Sequence, residues 1–432
     1  MFEQFCQVEA FFHVRKQHGM KPGLGRIHKL LDLLNHPEKK MNAIHAAGTN
    51  GKGSTIHYLN HALMANGYTV GVFNSPSLEG LTGHILLDDA RIPEKIFIHY
   101  LNKIYPFVLQ LDKEQNHPTE FEIITVIAFL YFADHTDIVL VETGMGGRED
   151  TTNCFNPILS IITNVSWDHM DFLGKNIESI AYHKAGIIKE NKPIIAGEMT
   201  GKATSVIAAE AKRKGAPLYL AGESFQYKIT GVKGHNQTFQ WHMDSDISME
   251  AGLQAAGIHQ VRNASLAIMA LVLLNDKGFD LHRDNCLNGL KATRIPGRFE
   301  QIYDRPAIIL DGAHNPAGVQ AFTETLETSF GHAEKHLIFA AFKDKDLKRM
   351  LEKLEPYFSS VTLTTFNHPR AAGIEQLQNF SKSRHAKFQS DWRQTLRQIN
   401  FERKDAFYFI TGSLHFIAMV KNYVSDVWSC DN

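Results

Sequence analysis

The chain has 432 residues, and its 45 lysines and arginines nearly balance 46 aspartates and glutamates, for a formal net charge of -1. This length is sufficient for two or three domains, while the balanced charge provides no global field that would attract nucleic acid or an anionic membrane. The amino terminus lacks signal-peptide order, and no apolar run reaches the roughly 20 residues that span a bilayer. We therefore expect neither a nucleic-acid partner nor a membrane partner.

The cysteines are far apart in sequence and form neither a metal-ligand pair nor a disulfide-rich framework. They are Cys6, Cys154, Cys286 and Cys430. This usage is typical of a reduced protein and predicts a cytoplasmic location.

Helical and strand patterns alternate along the chain. A helix with one apolar stripe is predicted at 24–34, and residues 121–133 are apolar on nearly all sides, as in a buried helix. Apolar strands are predicted at 68–73, 137–141, 158–162 and 193–196. Their alternation with helices predicts a mainly parallel, doubly wound sheet. Segment 225–243 instead predicts an appended antiparallel hairpin.

The stretch AIHAAGTNGKGSTIHYL, residues 43–59, runs from an apolar strand through a glycine-rich turn into an amphipathic helix. Gly48, Gly51 and Gly53 around Lys52 allow a tight turn whose N–H groups converge at a helix N-terminus. The match to the P-loop pattern is incomplete, because Ala46 replaces its first glycine and the hydroxyl is displaced to Ser54. A glycine-rich connector is the alternative, but the strand-before, helix-after context favours binding of a nucleotide phosphate.

A domain boundary is predicted in ATRIPGRFEQI, where Pro296 and Gly297 interrupt the pattern. Beyond it, new strands are predicted at 307–310, 337–341, 361–366 and 407–410. The fold class expected is therefore α/β: a P-loop-containing, mainly parallel, doubly wound domain at 1–295, followed by a smaller Rossmann-like α/β domain at 296–432.

Polar side chains directly follow three of the predicted strands, where open parallel sheets place their ligands. They are Ser75, Glu142 and the pair Asp168 and His169. A carboxylate such as Glu142 suits a magnesium ion that holds ATP phosphates, although capping of a loop explains it equally well. Histidine is an unusual magnesium ligand, so the residues alone give His169 little weight.

Ten motifs in order then carry a family resemblance: AAGTNGKGST, ETGMGGREDTTN, DHMDFLG, HKAGIIK, GIHQVRNA, PGRFE, DGAHNP, FKDKD, HPRA and TGSLHF. They resemble the folylpolyglutamate and dihydrofolate synthases of the Mur ligase superfamily, from about residue 24 to residue 416. The resemblance implies a two-domain ATP-dependent amide ligase. In such an enzyme a substrate carboxylate takes the γ-phosphate, and the amino group of glutamate displaces phosphate from the acyl phosphate.

The resemblance also implies roles for particular residues. Lys52, Lys184 and His314 would be catalytic. The metal ligands implied for Mg²⁺ are Ser75, Glu142, His169 and Lys184. The ATP contacts implied are Thr49, Asn50, Gly51, Lys52, Gly53, Ser54, Asn263, Arg298 and Asp311. Lys184 would be carboxylated by CO₂, which converts a cation into an anion and requires a neutral amine; the alternative is an exposed helix lysine.

Several of these residues have simpler alternatives. Asn263 is also explained as a helix cap, Arg298 as a member of a surface ion pair, and DGAHNP as an ordinary turn. Asn263, Arg298 and the DGAHNP motif, with Asp311 and His314, all flank the predicted boundary. This position favours functional roles for all three and a nucleotide clamped between domains.

The pterin side of a folate is implied to lie against Leu24, Arg26, Phe121, Glu149, Asp150 and Thr151, although Phe121 is equally consistent with a core residue. This sequence departs from the family pattern there, with Ser77 in place of a histidine and Gly83-His84 in place of a Glu-Arg pair. His183 likewise replaces the glutamate that precedes Lys184 in the family.

The leading hypothesis is a monomeric ligase that adds L-glutamate to dihydropteroate, to reduced folate and its polyglutamates, or to both, using ATP. A Mur-type ligase that acts on a cell-wall precursor is the first alternative, although the P-loop lies too near the amino terminus for a separate nucleotide-sugar domain. A P-loop protein that senses a nucleotide without ligase activity is the second.

Overall fold

The computed structural model describes residues 1–19, 21–77, 79–243, 247–331 and 333–428, and the chain forms two compact units. The first unit comprises Met1–Lys228, Phe239–Gly252 and Arg262–Thr293. The second comprises Ile229–Thr238, Leu253–Val261 and the chain from Arg294 onwards. None of the helices in the described residues is long and apolar enough to cross a membrane.

The first unit is built on an eight-stranded sheet in the order β4-β3-β2-β5-β1-β6-β7-β8. Its strands are β1 (Ala43–Ala47), β2 (Val70–Phe73), β3 (Ile85–Leu87), β4 (Ala90–Arg91), β5 (Ile138–Glu142), β6 (Leu159–Ile162), β7 (Ile194–Ala196) and β8 (Leu218–Leu220). The strands from β2 to β8 in this order are parallel, whereas β3 and β4 extend the sheet antiparallel to β2. Central strand β1 places Ala46 opposite Glu142 of β5.

Helices surround this sheet because its central strands are mainly apolar and every residue in them is buried. They are α1 (Phe5–Arg15), α2 (Gly25–Leu33), α3 (Lys52–Met64), α4 (Glu94–Lys113), α5 (Glu120–His135), α6 (Met170–Leu173), α7 (Ile177–Ala185) and α8 (Gly201–Arg213). One core joins α1, α2, α4 and α5 to the sheet, and another joins α7 and α8 to β6 and β7. Helix α5 is buried around most of its circumference and begins at a capping box between Thr119 and Glu122.

A three-stranded sheet follows, in the order β11-β10-β9, and it is followed by two helices. The elements are β9 (Gln226–Lys233), β10 (Asn236–Met243), β11 (Ile247–Leu253), α9 (Ile258–Asp276) and α10 (Arg283–Ala292). Helix α10 packs closely on α3, where a Cβ atom on Gly289 would lie 2.4 Å from the backbone oxygen of His61.

The second unit carries a six-stranded sheet in the order β12-β13-β17-β14-β15-β16. Its strands are β12 (Glu300–Asp304), β13 (Ala307–Leu310), β14 (Lys335–Phe339), β15 (Ser360–Thr364), β16 (Lys387–Gln389) and β17 (Phe407–Thr411). Its helices are α11 (Pro316–Phe330), α12 (Leu347–Leu354), α13 (Ile374–Phe380), α14 (Trp392–Arg397) and α15 (Leu414–Trp428). Only β12 runs antiparallel to its neighbour among these described strands, and Ile308 and Ile309 enter opposite cores, as alternation along a strand requires.

Short 3₁₀ turns complete the secondary structure at Lys16–His18, Pro37–Lys40, Thr82–His84, Thr151–Cys154 and Glu355–Tyr357. The predicted α/β class, with a mainly parallel sheet and a separate carboxyl-terminal α/β unit, is confirmed. The strands β3, β4, β8, β11, β12 and β16 were not predicted, because two to seven residues at or next to a sheet edge carry little apolar periodicity.

Candidate active site

The glycine-rich turn between β1 and α3 has the geometry that its sequence predicts. Gly51 adopts a φ of +85° directly before the first residue of α3, Lys52. A Cβ atom on Gly51 would lie 2.3 Å from the side-chain oxygen of Asn263, so both the backbone conformation and the space require glycine. Asn263 lies inside α9 rather than at its start, and the interpretation of this residue as a helix cap is wrong.

The turn is braced by the loop that follows β6. The Thr163 hydroxyl and the Asn164 side-chain amide donate to the backbone oxygen of Asn50 at 2.6 and 2.9 Å, and the Asn50 N–H donates to Asn164 Oδ1 at 3.1 Å. Thr49 exchanges hydrogen bonds with the backbone of Ser166 through its hydroxyl, at 3.0 and 3.1 Å. Sequence reasoning missed this brace, although the polar run TNVS directly after an apolar strand was the available signal.

Lys52 and Glu142 form a largely buried ion pair at the carboxyl ends of neighbouring strands. Lys52 Nζ lies 3.6 Å from Glu142 Oε1 and also donates to the Gly48 oxygen at 3.2 Å. The Ser75 N–H donates to the other carboxylate oxygen, Oε2, at 3.4 Å. Three of the residues named from the sequence, on three separate loops, are thus in contact.

Lys184 is only 3% exposed, on α7, so the interpretation of it as an exposed helix lysine is wrong. Burial and, to a smaller extent, the charge of Lys52 lower the pKa of its ammonium group to about 7, although Asp168 and Asp150 partly oppose them. A large fraction of this amine is therefore neutral near pH 7, which makes it a competent nucleophile.

His169 lies beside Asp168 at the start of α6, with its ring half-exposed and a φ of +49°. Its Nε2 atom lies 3.9 Å from Asp168 Oδ2. The sequence names Asp168 and His169 together as polar groups that follow a predicted strand, and the interaction of the Asp168 charge with Lys184 connects Asp168 to the site.

The donor atoms suit a magnesium ion in part. Glu142 and Ser75 offer the carboxylate and hydroxyl oxygens that this ion prefers, and they are in contact. Lys184 does not suit a hard cation as an amine, but a carboxylated lysine would supply two oxygens. The fit therefore depends on that modification.

Phe121 is half-buried at the start of α5 and packs against other rings. Its ring centroid lies 5.6 Å from that of Phe73 and 6.4 Å from that of His84, and it also lies against Gly144. Burial lowers the pKa of His84, and the Asn74 backbone oxygen, 2.7 Å from its Nδ1, partly opposes this effect. Phe121 thus forms an aromatic cluster with Phe73 and His84.

Two of the departures from the family pattern are in contact. A Cβ atom on Gly83 would lie 2.4 Å from the Ser77 hydroxyl, so the small residue at one position accommodates the side chain at the other. A third departure, His183, pairs through its Nδ1 with Glu149 Oε2 at 2.6 Å.

The other predicted substrate-binding residues already have partners in the structure. Arg26 forms an ion pair with the buried Glu122 at 3.0 Å, next to half-buried Leu24. Asp150 is buried and accepts hydrogen bonds from the Met145 and Thr152 N–H groups at 2.7 and 3.0 Å. Burial raises the pKa of Asp150, and these hydrogen bonds partly oppose the rise. Its neighbour Thr151 begins the following 3₁₀ turn.

In the second unit, the loop after β13 is organised by Asp311. This buried carboxylate accepts the N–H groups of Ala313 at 2.9 Å and Phe299 at 3.1 Å. Burial raises the pKa of Asp311, and the positive charge of Arg298 partly opposes the rise. His314 Nδ1 lies 2.8 Å from the Gly312 oxygen, and the Arg298 guanidinium packs over Gly312. The three residues named from the sequence therefore share one loop cluster in this unit.

Two family models match the chain. The Mur ligase middle domain matches residues 46–271, and the Mur ligase glutamate ligase domain matches residues 297–414. Over 426 residues the chain is 36% identical to the dihydrofolate synthase/folylpolyglutamate synthase of Bacillus subtilis, covering 98% of this chain and 99% of that protein. The chain belongs to the Mur ligase family, among its folylpolyglutamate and dihydrofolate synthases.

Other members of this family agree over nearly the whole chain. The folylpolyglutamate synthase of Lacticaseibacillus casei is 32% identical over 425 residues, covering 96% of this chain and 98% of that protein. The structure of the Mycobacterium tuberculosis folylpolyglutamate synthase, solved with ADP and AMPPCP, has a TM-score of 0.86 at 30% identity and covers 97% of both chains. The chain is therefore an ATP-dependent ligase of the Mur ligase family.

Proposed function

We propose that this ligase joins L-glutamate to the carboxylate of a folate, which is dihydropteroate, reduced folate with its polyglutamates, or both. The structural observation that supports the proposal most is the buried, low-pKa Lys184 beside the charge of Lys52. A nucleotide sensor needs phosphate contacts, but it has no use for a buried amine that is poised to react.

The reaction proceeds in two balanced steps. A carboxylate oxygen attacks the γ-phosphorus of ATP, forming the P–O bond of an acyl phosphate and releasing ADP. The neutral amino group of glutamate then attacks the acyl carbon, the C–O bond to phosphate breaks, and the amine proton passes to the departing phosphate, leaving an amide and inorganic phosphate. Phosphorylation is required because a free carboxylate is a poor electrophile, and the protein mainly positions the reactants and offsets phosphate charge.

We assign the P-loop to the phosphates. Lys52 and the backbone N–H groups of residues 51–54 hold the β- and γ-phosphates at the N-terminus of α3, where the helix dipole favours negative charge. Thr49, Asn50, Gly51, Gly53 and Ser54 contribute to this turn. Asn263 contacts the adenine side. In the second unit, Arg298, Asp311 and His314 remain our predicted nucleotide contacts, with His314 also predicted to be catalytic.

We assign Ser75, Glu142, His169 and carboxylated Lys184 to Mg²⁺. This ion would offset the negative charge that develops on the transferred phosphoryl group. CO₂ adds to the neutral Lys184 amine with loss of one proton, and the resulting carbamate provides oxygen donors. The depressed pKa of Lys184 supports this chemistry because it leaves the amine neutral near pH 7.

We assign the pterin to the half-buried face of Phe121, with Leu24 and Thr151 nearby in the predicted contact set. Arg26, Glu149 and Asp150 contribute chiefly by holding this surface in place, since each is engaged by a protein partner: Glu122, His183 and Met145, respectively.

The decisive experiment supplies ATP, Mg²⁺ and L-glutamate with either dihydropteroate or tetrahydrofolate. Product mass and phosphate release are then measured. We expect glutamate-dependent phosphate release and a mass gain of one glutamyl unit. Omission of glutamate and replacement of the folate by a cell-wall nucleotide precursor are the controls. Turnover with the precursor and with neither folate would refute the substrate assignment. Lack of turnover with both folates in a folded protein would refute it as well.

We further propose a cytoplasmic monomer that binds no nucleic acid, with its domain boundary between residues 295 and 296. The reduced state of Cys6, Cys154 and Cys286 and the dependence on ATP support the location. The molar mass from light scattering after size-exclusion chromatography tests the monomeric state. Limited proteolysis, with cleavage expected within residues 292–300, tests the domain boundary.

A further inference from the structure

A second group of chemically reactive side chains lies on the P-loop helix, away from its phosphate-binding end. His57 and His61 are four residues apart on α3 and therefore lie on the same face of the helix. Their ring nitrogens and a carboxylate oxygen of Asp89 all lie within 4.8 Å of one another. Among the residues that the structure describes, no other group of three histidine, cysteine or acidic side chains converges in this way.

The position of Asp89 is fixed by the hairpin between β3 and β4. Asp88 and Asp89 form its two-residue turn, with φ values of +48° and +65°, and Leu87 pairs with Ala90 across it. The turn is held against β2, because the Asp88 carboxylate accepts the Val70 N–H at 2.8 Å. The Asp89 carboxylate is therefore presented to α3 by a well-anchored turn.

The Asp89 carboxylate is also oriented by side chains of α3. The fully buried Asn60 donates to Oδ1 at 2.5 Å, and His61 Nε2 lies 2.9 Å from Oδ2. Outer-shell hydrogen bonds of the kind that Asn60 makes commonly orient carboxylates that bind metals. The two histidines are half-buried and Asp89 is exposed, which leaves the group open to solvent.

We propose that His57, His61 and Asp89 bind a divalent transition-metal ion of the zinc type, which fastens α3 to the β3–β4 hairpin. Two imidazole nitrogens and one carboxylate oxygen suit Zn²⁺, Co²⁺ or Ni²⁺, whereas Mg²⁺ and Ca²⁺ prefer oxygen ligands alone. Tetrahedral zinc needs ligand atoms about 3.3 Å apart, which small rotamer changes can supply here. A water molecule completes the coordination.

This site is separate from the phosphate-binding turn. With a rise of about 1.5 Å per residue, His57 and His61 lie about 7 and 13 Å along the helix axis from Lys52. Metal binding here thus stabilises the helix that carries the P-loop without supplying a ligand to the phosphates. The proposal is independent of the substrate assignment, because its test measures binding and melting rather than turnover.

The test titrates the metal-stripped full-length chain with Co²⁺ in the presence of excess Mg²⁺ and follows the visible d–d absorption. We expect one equivalent to bind, Zn²⁺ to displace it, and the melting temperature to rise with metal concentration. His57→Ala should weaken binding by at least about 10–100-fold, the loss that follows even removal of an outer-shell partner. His13→Ala, which removes an exposed histidine on α1, is the matched control and should bind like the parent chain.

His57→Ala also separates the metal site from a plain His61–Asp89 ion pair, because it leaves that pair intact. Asp89→Asn is the second variant, since it keeps the size of the side chain but removes the carboxylate charge that would bind the metal. Circular dichroism in EDTA verifies that each variant is folded. Absence of one-equivalent binding by the parent chain, or unchanged affinity in both variants, would overturn the proposal.

Discussion

The two units differ in the surroundings of a buried charged group, Asp311 in the second unit and Lys184 in the first. In the second unit, the Asp311 carboxylate accepts two backbone N–H groups and thereby builds the loop that contains it. In the first unit, Lys184 is buried although burial and the charge of Lys52 both disfavour its ammonium form. Burial disfavours the charged form of each group, but Asp311 partly offsets that cost through the backbone hydrogen bonds that hold its loop, whereas the charge of Lys52 adds to the cost at Lys184. A buried group that weakens the fold is the stronger indication of chemistry.

The contrast predicts which substitutions separate activity from stability. Removing the Lys184 amine should lower turnover without weakening the fold, while altering Asp311 should weaken the fold itself. Lys52 lies between these cases, because it serves the P-loop and also neutralises Glu142.

The largest effect is expected for Lys52→Ala. Loss of the ammonium group that faces the phosphates should reduce kcat/KM by at least about 10²–10³-fold, as for other preorganised charge-stabilising donors. The protein should remain folded, with a lower melting temperature because Glu142 loses its cation. Phosphate-release kinetics measure kcat/KM, and thermal circular dichroism measures the melting temperature. Lys95→Ala, on the exposed face of α4, is the control. Near-normal turnover would refute the role of Lys52.

Lys184→Ala should reduce turnover by about 10–100-fold, since it removes oxygen donors from the proposed magnesium site. Short carboxylic acids should restore part of the activity by replacing the carbamate. Lys184→Met, which keeps most of the side-chain volume, should melt no lower than the parent chain in CO₂-depleted, metal-free buffer, because it removes a disfavoured charge. A lower melting temperature would mean that Lys184 has a structural role like that of Asp311.

Asp311→Ala should instead destabilise the protein by about 1–3 kcal/mol, the usual consequence of leaving buried N–H groups without acceptors. Thermal melting and urea titration measure the change. Asp304→Ala, at an exposed position in the same sheet, is the control. A variant that loses activity at unchanged stability would place Asp311 with Lys184 and remove the contrast between the units.

The sequence predicted the parts of the site whose roles follow from local chain geometry. The P-loop turn was predictable because a strand, glycines and a helix are contiguous, and Ser75, Glu142 and Asp168 because each follows an apolar strand. The brace from Thr163 and Asn164 to Asn50 was not predicted, because the polar run after β6 is visible in the sequence but its partner lies more than 100 positions away. The burial of Lys184 was equally hidden, because helix α7 carries no strong apolar pattern around it.

Prediction of the fold from local sequence has the same limit. The long apolar strands and helices were predicted, whereas the β3–β4 hairpin was not, because its turn is Asp88-Asp89 rather than Asn-Gly or Asp-Gly. That hairpin is also the element that brings Asp89 to His57 and His61. An i, i+4 histidine pair was visible in the sequence, but its third ligand required tertiary structure.

The smallest effects expected are two pH dependences that follow from the pKa of Lys184, one of stability and one of the carboxylation rate. They test the difference between Lys184 and Asp311 most directly. The pKa of Lys184 is about 7 in the folded chain, against an ordinary value of 10.5. Protonation therefore favours the unfolded state between these values, and the free energy of unfolding should fall as pH decreases from 10.5 to 7. Below pH 7 this contribution stays constant.

The same pKa sets the rate at which CO₂ reacts with the amine. At fixed dissolved CO₂ and in EDTA, the initial rate of carbamate formation should rise about tenfold from pH 6 to pH 8 and then level off. The rate follows the fraction of the Lys184 amine that is neutral. Carbon-13 NMR with labelled bicarbonate measures it, with Lys184→Met to subtract other amines. A rise of about a hundredfold without levelling would show an ordinary lysine. In that case burial would not disfavour the ammonium form, and Lys184 would differ little from the groups that stabilise the second unit.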